Sequence, residues 1–267
     1  VVSSLTRDDL VQEHATWIRP DNAQLFVVSD LPLAELTPKL EAAFGNWTAP
    51  SAPKGTKTFA GELPATTARI VLINRPQSPQ SLIYGGQVLP VSGTDDNLTL
   101  NTANVVLGTD FLSRINADLR ETKGWSYGVR GSINALEHRM PYIINAPVQA
   151  NQTGPAIAAL IGQYERFLGA EGVTAEERER TVLGDTRALA GSYETSGQVL
   201  GALRSNALYQ RPDDYQETLA GRINALTADQ MNQAARAVID PDRFVWVVVG
   251  DAAVVQPQLE ALGLPVE

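Results

Sequence analysis

The sequence predicts an α+β architecture, a largely antiparallel sheet with helices packed on one face. Three observations predict it. Strand-like and helix-like apolar patterns both occur, but without the sustained βαβ alternation of a parallel sheet. Residues 126–135 and 142–149 read as strands joined by a short polar stretch, the signature of an antiparallel pair. An internal repeat supplies the same helix, turn and apolar run twice.

The first copy of the repeat opens the chain. Leu5-Thr6-Arg7-Asp8-Asp9-Leu10 is matched by Leu226-Thr227-Ala228-Asp229-Gln230-Met231. Pro20-Asp21 stands fifteen residues after Leu5, and Pro241-Asp242 fifteen after Leu226. The apolar runs 25–30 and 245–251 follow in the same register. Each copy reads as a capped helix, a Pro turn, a buried strand and a second helix. Two related domains in tandem explain the match. Residues 1–48 are then expected to be the terminal helix–strand–helix unit of a preceding homologous domain. Residues 49–66 read as a Pro-rich linker, and 67–267 as a complete domain. The chain begins Val1-Val2-Ser3-Ser4, with neither Met nor a signal segment, and reads as an internal piece of a longer protein or a processed product.

In the complete domain, 68–74 and 81–88 are expected strands, and 96–107 and 110–122 carry helical apolar spacing. Residues 155–168 read as a helix opened by Thr153-Gly154-Pro155. Thr174-Ala175-Glu176-Glu177 is a capping box for a long charged helix. Helices near 194–209, 212–222 and 227–239 lead to the apolar run at 245. The alternating charges of 176–180 read as a solvated face.

Composition narrows the function classes. Lys plus Arg is 21 against Asp plus Glu at 30, a net charge of −9, which argues against a nucleic-acid surface. No apolar run reaches the roughly 20 residues a membrane helix needs. Cys is absent, which excludes disulfides and thiolate metal or redox sites. Neither a phosphate loop nor a nucleophile elbow is present.

The chemistry-bearing stretch is Ser113-Arg114-Ile115-Asn116-Ala117-Asp118-Leu119-Arg120-Glu121-Thr122-Lys123-Gly124-Trp125-Ser126-Tyr127-Gly128-Val129. Leu112, Ile115 and Leu119 form a buried stripe, with Arg120 just past it at the helix end. Gly124 can take the positive φ that ends a helix. Tyr127 is expected to start a strand beside Gly128, where no side chain crowds a ligand. A phenol O–H suits a developing oxyanion, and a forked guanidinium suits a substrate backbone. An Arg that satisfies helix-end carbonyls and a rim Tyr are the plainer reading of the same residues.

This string resembles the C-terminal region of the M16 metallopeptidases, the insulinase or pitrilysin family. Supporting it are Leu119-Arg120-Glu121, the Lys123-Gly124 turn, Ser126-Tyr127-Gly128 and the Pro20-Asp21-Asn22-Ala23 turn before the run at 25. The resemblance covers roughly 1–260. It implies an M16 (LuxS/MPP-like) fold in which two homologous halves close over a peptide. It implies that Arg120 holds the substrate backbone and Tyr127 stabilises the tetrahedral intermediate, next to a zinc ion supplied by another domain. The partner it implies is a zinc-bearing half, in the same polypeptide or in another subunit of a homo- or heterodimer. It also points to a bacterial periplasmic or organellar setting. The alternatives are a catalytically inactive scaffold or assembly subunit and a peptide-binding module.

The family's zinc motif, His-x-x-Glu-His, is not in this sequence. Its nearest approach is Leu10-Val11-Gln12-Glu13-His14, with Leu in place of the first His. His14 is expected to be a partly buried helix residue and His138 an exposed turn residue. No metal is assigned to this chain, so it is expected to be inactive by itself. Two weaker features remain. Gly85 and Gly86 in Tyr84-Gly85-Gly86-Gln87 mark either a strand edge that a substrate could extend or a packing site against a helix. Asn151 to Gly154 reads as a helix start that binds an anion or is simply capped.

Overall fold

The computed structural model describes residues 2–59, 61–62 and 65–267. The chain divides into two compact units, Val1–Leu63 with Ser192–Ser205, and Pro64–Gly191 with Asn206–Glu267.

The first unit holds α1 (Arg7–Trp17), a turn at Pro20–Asn22 and α2 (Leu33–Phe44). A capping box starts α1: Thr6 Oγ1 accepts from Asp9 N–H at 3.2 Å, and Asp9 Oδ2 accepts from Thr6 N–H at 2.8 Å. Arg19 is the buried anchor of this unit. Its guanidinium donates to both oxygens of Asp21 at 2.6 and 3.0 Å and to the carbonyls of Ala52 and Pro50. Two expectations fail here. Residues 25–30 are not a strand, because no strand among the described residues pairs with them, and an extended run without a ladder is not β-structure. Leu25 and Val27, expected to be buried, are exposed. His14 is exposed rather than partly buried, since α1 buries no residue.

The second unit is built on one five-stranded sheet of β1 (Arg69–Asn74), β2 (Gln80–Val88), β3 (Arg130–Ile133), β4 (Pro141–Gln149) and β5 (Val245–Gly250). The strand order is β1-β5-β2-β4-β3. Only β1 and β5 run parallel; β2 is antiparallel to both β5 and β4, and β3 to β4. The sheet is therefore largely antiparallel, as the sequence implies. Residues 265–267 bond to Ile70 and Leu72 and cover the outer edge of β1. The opposite edge is β3.

Alternate residues of each long strand are buried, so one face carries the core. Tyr142, Ile144, Ala146 and Val148 of β4 lie on it with Trp246 and Val248 of β5. Against them pack α3 (Leu98–Asn104), α4 (Arg114–Asn116), α5 (Thr153–Leu168), α9 (Ala228–Val238) and α10 (Ala252–Glu260). Phe244 is the hinge of the aromatic core, 5.2 Å edge-on to Tyr164 and 5.8 Å from Trp246. This unit also holds α6 (Ala175–Gly191) and α8 (Tyr215–Ala225), while most of α7 (Ser196–Leu208) belongs to the first unit. Both copies of the repeat start with the same cap, for Thr227 and Gln230 reproduce the box of Thr6 and Asp9. Among the described residues, no helix is long and apolar enough to cross a membrane.

Gly85 and Gly86 are not at an edge. β2 lies between β4 and β5, so no substrate strand can join it. Their role is packing, against neighbouring strands rather than a helix. A Cβ on Gly85 would enter the Trp246 ring, and one on Gly86, at φ +152°, would collide with the Tyr142 carbonyl. Gly86→Ala is expected to lower stability by about 3 kcal/mol, since the clash is with backbone and cannot relax through a rotamer. Chemical denaturation would measure it. A loss within error of zero would mean that the sheet yields at this position.

Candidate functional site

The helical segment before the site is less regular than its spacing predicts. α3 runs on through a π turn at Val105–Thr109, and α4 through another at Ala117–Thr122. Wide turns of this kind recur at functional sites. The chain between them is extended at Ser113, so the helix starts at Arg114. That leaves Leu112, expected in the buried stripe, exposed outside the helix, while Ile115 and Leu119 are fully buried.

Arg120 lies in the last turn of this segment. Its guanidinium lies 4.3 Å from the centre of the Phe111 ring and 3.2 Å from Glu121 Oε1. Gly124 takes φ +66°, as the turn requires. Trp125 N–H then donates to Leu119 O at 2.9 Å and closes the turn. Tyr127 does not start a strand. β3 begins at Arg130, and residues 125–129 form a loop held by side chains. Ser126 Oγ bonds Gly128 O at 3.0 Å and Pro147 O, and accepts from Gly128 N–H. Asn116 Oδ1 accepts from Val129 N–H at 2.9 Å, and Asn116 Nδ2 donates to Phe111 O at 2.7 Å. The loop thus presents the Tyr127 side chain almost wholly to solvent, 90% exposed.

The two predicted residues share one hollow of about 340 Å³, together with Asp110, Phe111, Asn116 and Arg130. Tyr127 is also a wall of a second hollow of about 240 Å³, lined by Gly124, Trp125 and Gln149. The phenol therefore stands between two depressions next to the β3 edge. A buried polar network backs that edge. Tyr142 hydroxyl donates to Asn104 Oδ1 at 3.0 Å, and Asn104 Nδ2 donates to Gly131 O and to Thr109 Oγ1 at 2.9 and 2.8 Å. Burial pushes the hydroxyl pKa values of Tyr142 and Tyr164 up, so both stay protonated donors.

Sequence reasoning missed the supports. Asn116 sits within a buried stripe, and a polar side chain there signals local bonding of the main chain. Arg114 and Glu177 gave no such signal. The Arg114 guanidinium meets both Glu177 oxygens at 2.8 and 2.7 Å and the Gly172 carbonyl at 2.8 Å, and caps the Phe167 ring. Glu177 is thus not part of a solvated face, although the Thr174–Glu177 capping box forms as expected. The anion reading at 151–154 is unnecessary, because Gln258 Oε1 takes the Gly154 N–H.

Acidity near the hollow has one consequence for stability. Burial, and then the charge of Asp110, push the pKa of Asp185 on α6 up. A carboxyl with a raised folded pKa weakens the fold wherever it is ionised, and the penalty fades as pH falls through that pKa. Asp185→Asn is expected to raise the melting temperature at pH 7, with the gain shrinking at pH 4. A gain that does not change with pH would separate it from this ionisation.

The two histidines, His14 and His138, lie far apart in the sequence and cannot form the pair that a His-x-x-Glu-His site needs. Among the described residues, no group of three His, Cys, Asp or Glu could hold a metal ion. The described residues therefore do not fit a zinc centre.

Comparison with known proteins bears on the same region. No curated protein matches. A peptidase M16 inactive domain from Pseudomonas fluorescens superposes with a TM-score of 0.80 at 23% identity, over 93% of this chain and 58% of that one. A protease from Helicobacter pylori gives 0.83 at 15% identity, over 93% and 60%. The first half of the periplasmic protease PqqL from Escherichia coli gives 0.75 at 14%, over 98% and 59%. At such identities the likeness is one of fold, and the chain spans about three fifths of these relatives' lengths. The family model described as the peptidase M16 inactive domain matches residues 4–183, well over half of the sequence, and the chain belongs to that family.

Proposed function

We propose that this chain is the substrate-side, zinc-free part of an M16-type zinc metalloendopeptidase. The observation that carries the reading is that Arg120 and Tyr127 line one open hollow beside the β3 edge. The Tyr127 hydroxyl has no partner among the described residues. Its O–H would donate to the carbonyl oxygen of the scissile bond as that oxygen gains charge. The Arg120 guanidinium, already held over the Phe111 ring, would hold a neighbouring backbone carbonyl of the peptide. A Cβ on Gly128 would meet only Asn116 Oδ1, at 3.8 Å, so the fold leaves room there for a ligand backbone. Zinc, bound in another half of the same polypeptide or in another subunit, would supply the activated water.

The same reading takes residues 1–48 as the end of a like domain. Leu10, Ile18, Leu25 and Val27 are exposed, whereas their repeat mates Met231, Ile239, Trp246 and Val248 are buried. A second reading is an inactive scaffold or peptide-binding subunit. It is favoured by the partners Arg120 already has in Phe111 and Glu121, which account for its place without any substrate. Hydrolysis of a quenched fluorescent peptide library separates the two. The expected result is no turnover by this chain alone and turnover when it is mixed with its zinc-bearing half. No turnover in a mixture shown to associate and to hold zinc would favour the scaffold.

A further inference from the structure

A second hollow, of about 350 Å³, lies between residues 93–98, after β2, and the connector from α7 to α8. It shares no residue with the Arg120–Tyr127 site. Its walls are fixed. The Tyr209 ring packs where a side chain on Gly93 would stand, and its hydroxyl donates to Ala135 O at 3.1 Å. Arg222 lies 5.3 Å from the Tyr215 ring centre and bonds both oxygens of Asp96 at 2.6 Å, so its charge is matched. Asp95 Oδ2 accepts from Ser92 N–H and Oγ at 2.8 and 3.0 Å. Between the two tyrosines, Gln210 takes φ +52°, a left-handed conformation uncommon for a residue with a Cβ.

Arg211 differs from its neighbours. Its guanidinium lies 5.0 Å from the Tyr209 ring centre and 4.5 Å from that of Tyr215. The residue is half-buried and its backbone N–H donates to Asn206 O, yet none of its guanidinium N–H groups meets an acceptor among the described residues. The rings restrict the fork and draw on its charge, while the hydrogen-bonding capacity of the N–H groups is unspent. A partly desolvated donor set of this kind matches a carboxylate, which takes two parallel N–H bonds. Asp95 on the rim and the chain's net charge of −9 oppose a dianion such as phosphate.

We propose that this hollow is a carboxylate-binding site anchored by Arg211, with the Tyr209 and Tyr215 rings packing against the apolar part of the ligand. The carboxylate can come from a free small acid or from the C-terminus of a peptide. The site does not depend on peptide cleavage.

Arginine Nε–H resonances of the ¹⁵N-labelled chain provide the test, titrated with N-acetyl-phenylalanine, its amide, inorganic phosphate, and a hexapeptide with a free or an amidated C-terminus. The expected result is a saturable shift of Arg211 with N-acetyl-phenylalanine and none with its amide. Phosphate should bind weaker by about tenfold, and Arg211→Gln should lose about tenfold in affinity, the scale of one charged hydrogen bond. Binding of the free-ended hexapeptide would identify peptide ends as the source; binding of the small acid alone would identify a free acid. Equal shifts with acid and amide, no saturable shift, or unchanged affinity in a folded Arg211→Gln variant would overturn the proposal. The amide comparison uses wild-type protein, so it holds even if the variant does not fold.

Discussion

Tyr127→Phe is expected to lower kcat for peptide hydrolysis, in the presence of the zinc-bearing half, by about tenfold to a thousandfold, the scale of one lost oxyanion donor. The change removes a single oxygen from a side chain that is 90% exposed, so the fold should not notice it. Melting temperature and association with the other half should be unchanged. KM should change little, because the bond is made mainly in the transition state. Arg120→Met should do the reverse and raise KM more than it lowers kcat, since a backbone clamp holds ground state and transition state alike. Full activity in Tyr127→Phe would remove the hydroxyl from the reaction. A loss of association would instead place Tyr127 in the contact between halves.

Arg114→Ala carries the largest expected effect on stability, about 3–5 kcal/mol, the range for breaking a buried pair and leaving one charge unmatched. Both side chains are only 16% exposed. The variant strands the Glu177 carboxylate and frees the Glu171 and Gly172 carbonyls. Burial pushes the Glu177 carboxyl up, but the Arg114 guanidinium and the Thr174 groups outweigh it and hold the pKa below the ordinary value of 4.5. A depressed folded pKa contributes stability above the unfolded value, and that contribution is lost as pH falls through the folded one. The gap between wild type and Arg114→Ala should therefore be full at pH 7 and narrow below pH 4.5. Urea melts at several pH values would show it, and Glu177→Gln provides the milder variant if Arg114→Ala does not fold. A gap that is constant with pH would assign the loss to the carbonyl bonds rather than to the ion pair.

What could be read from the sequence was local. The Gly124 turn, the Thr6, Thr174 and Thr227 caps and the β4 alternation each depend on neighbours a few residues away. The proximity of Arg120 and Tyr127 was legible for the same reason, since one tight turn places both on one hollow. Most of the failures involve partners distant in sequence. Gly85 and Gly86 left an edge and a packing site equally open, because no local pattern says that β5 comes between β1 and β2. Residues 25–30 have every property of a strand except neighbours. Leu112 matched the helical period, but the chain is extended at Ser113, so the helix starts too late to include it. The bonds from Asn116 to Val129 and from Arg114 to Glu177 span 13 and 63 residues, beyond any periodicity.

The place of β5 also sets an order of events during synthesis. β1 and β2 are joined by a handful of residues yet stand two strand spacings apart, about 10 Å, with an empty lane between them until Val245–Gly250 arrives. On the ribosome, the first strands of the sheet must wait for one made some 160 residues later. The antiparallel trio β2, β4 and β3 can assemble first, with β1 loose beside it. Until then the inner edges of β1 and β2 are exposed to any passing strand, the state in which such a chain is prone to aggregate or to lean on a chaperone.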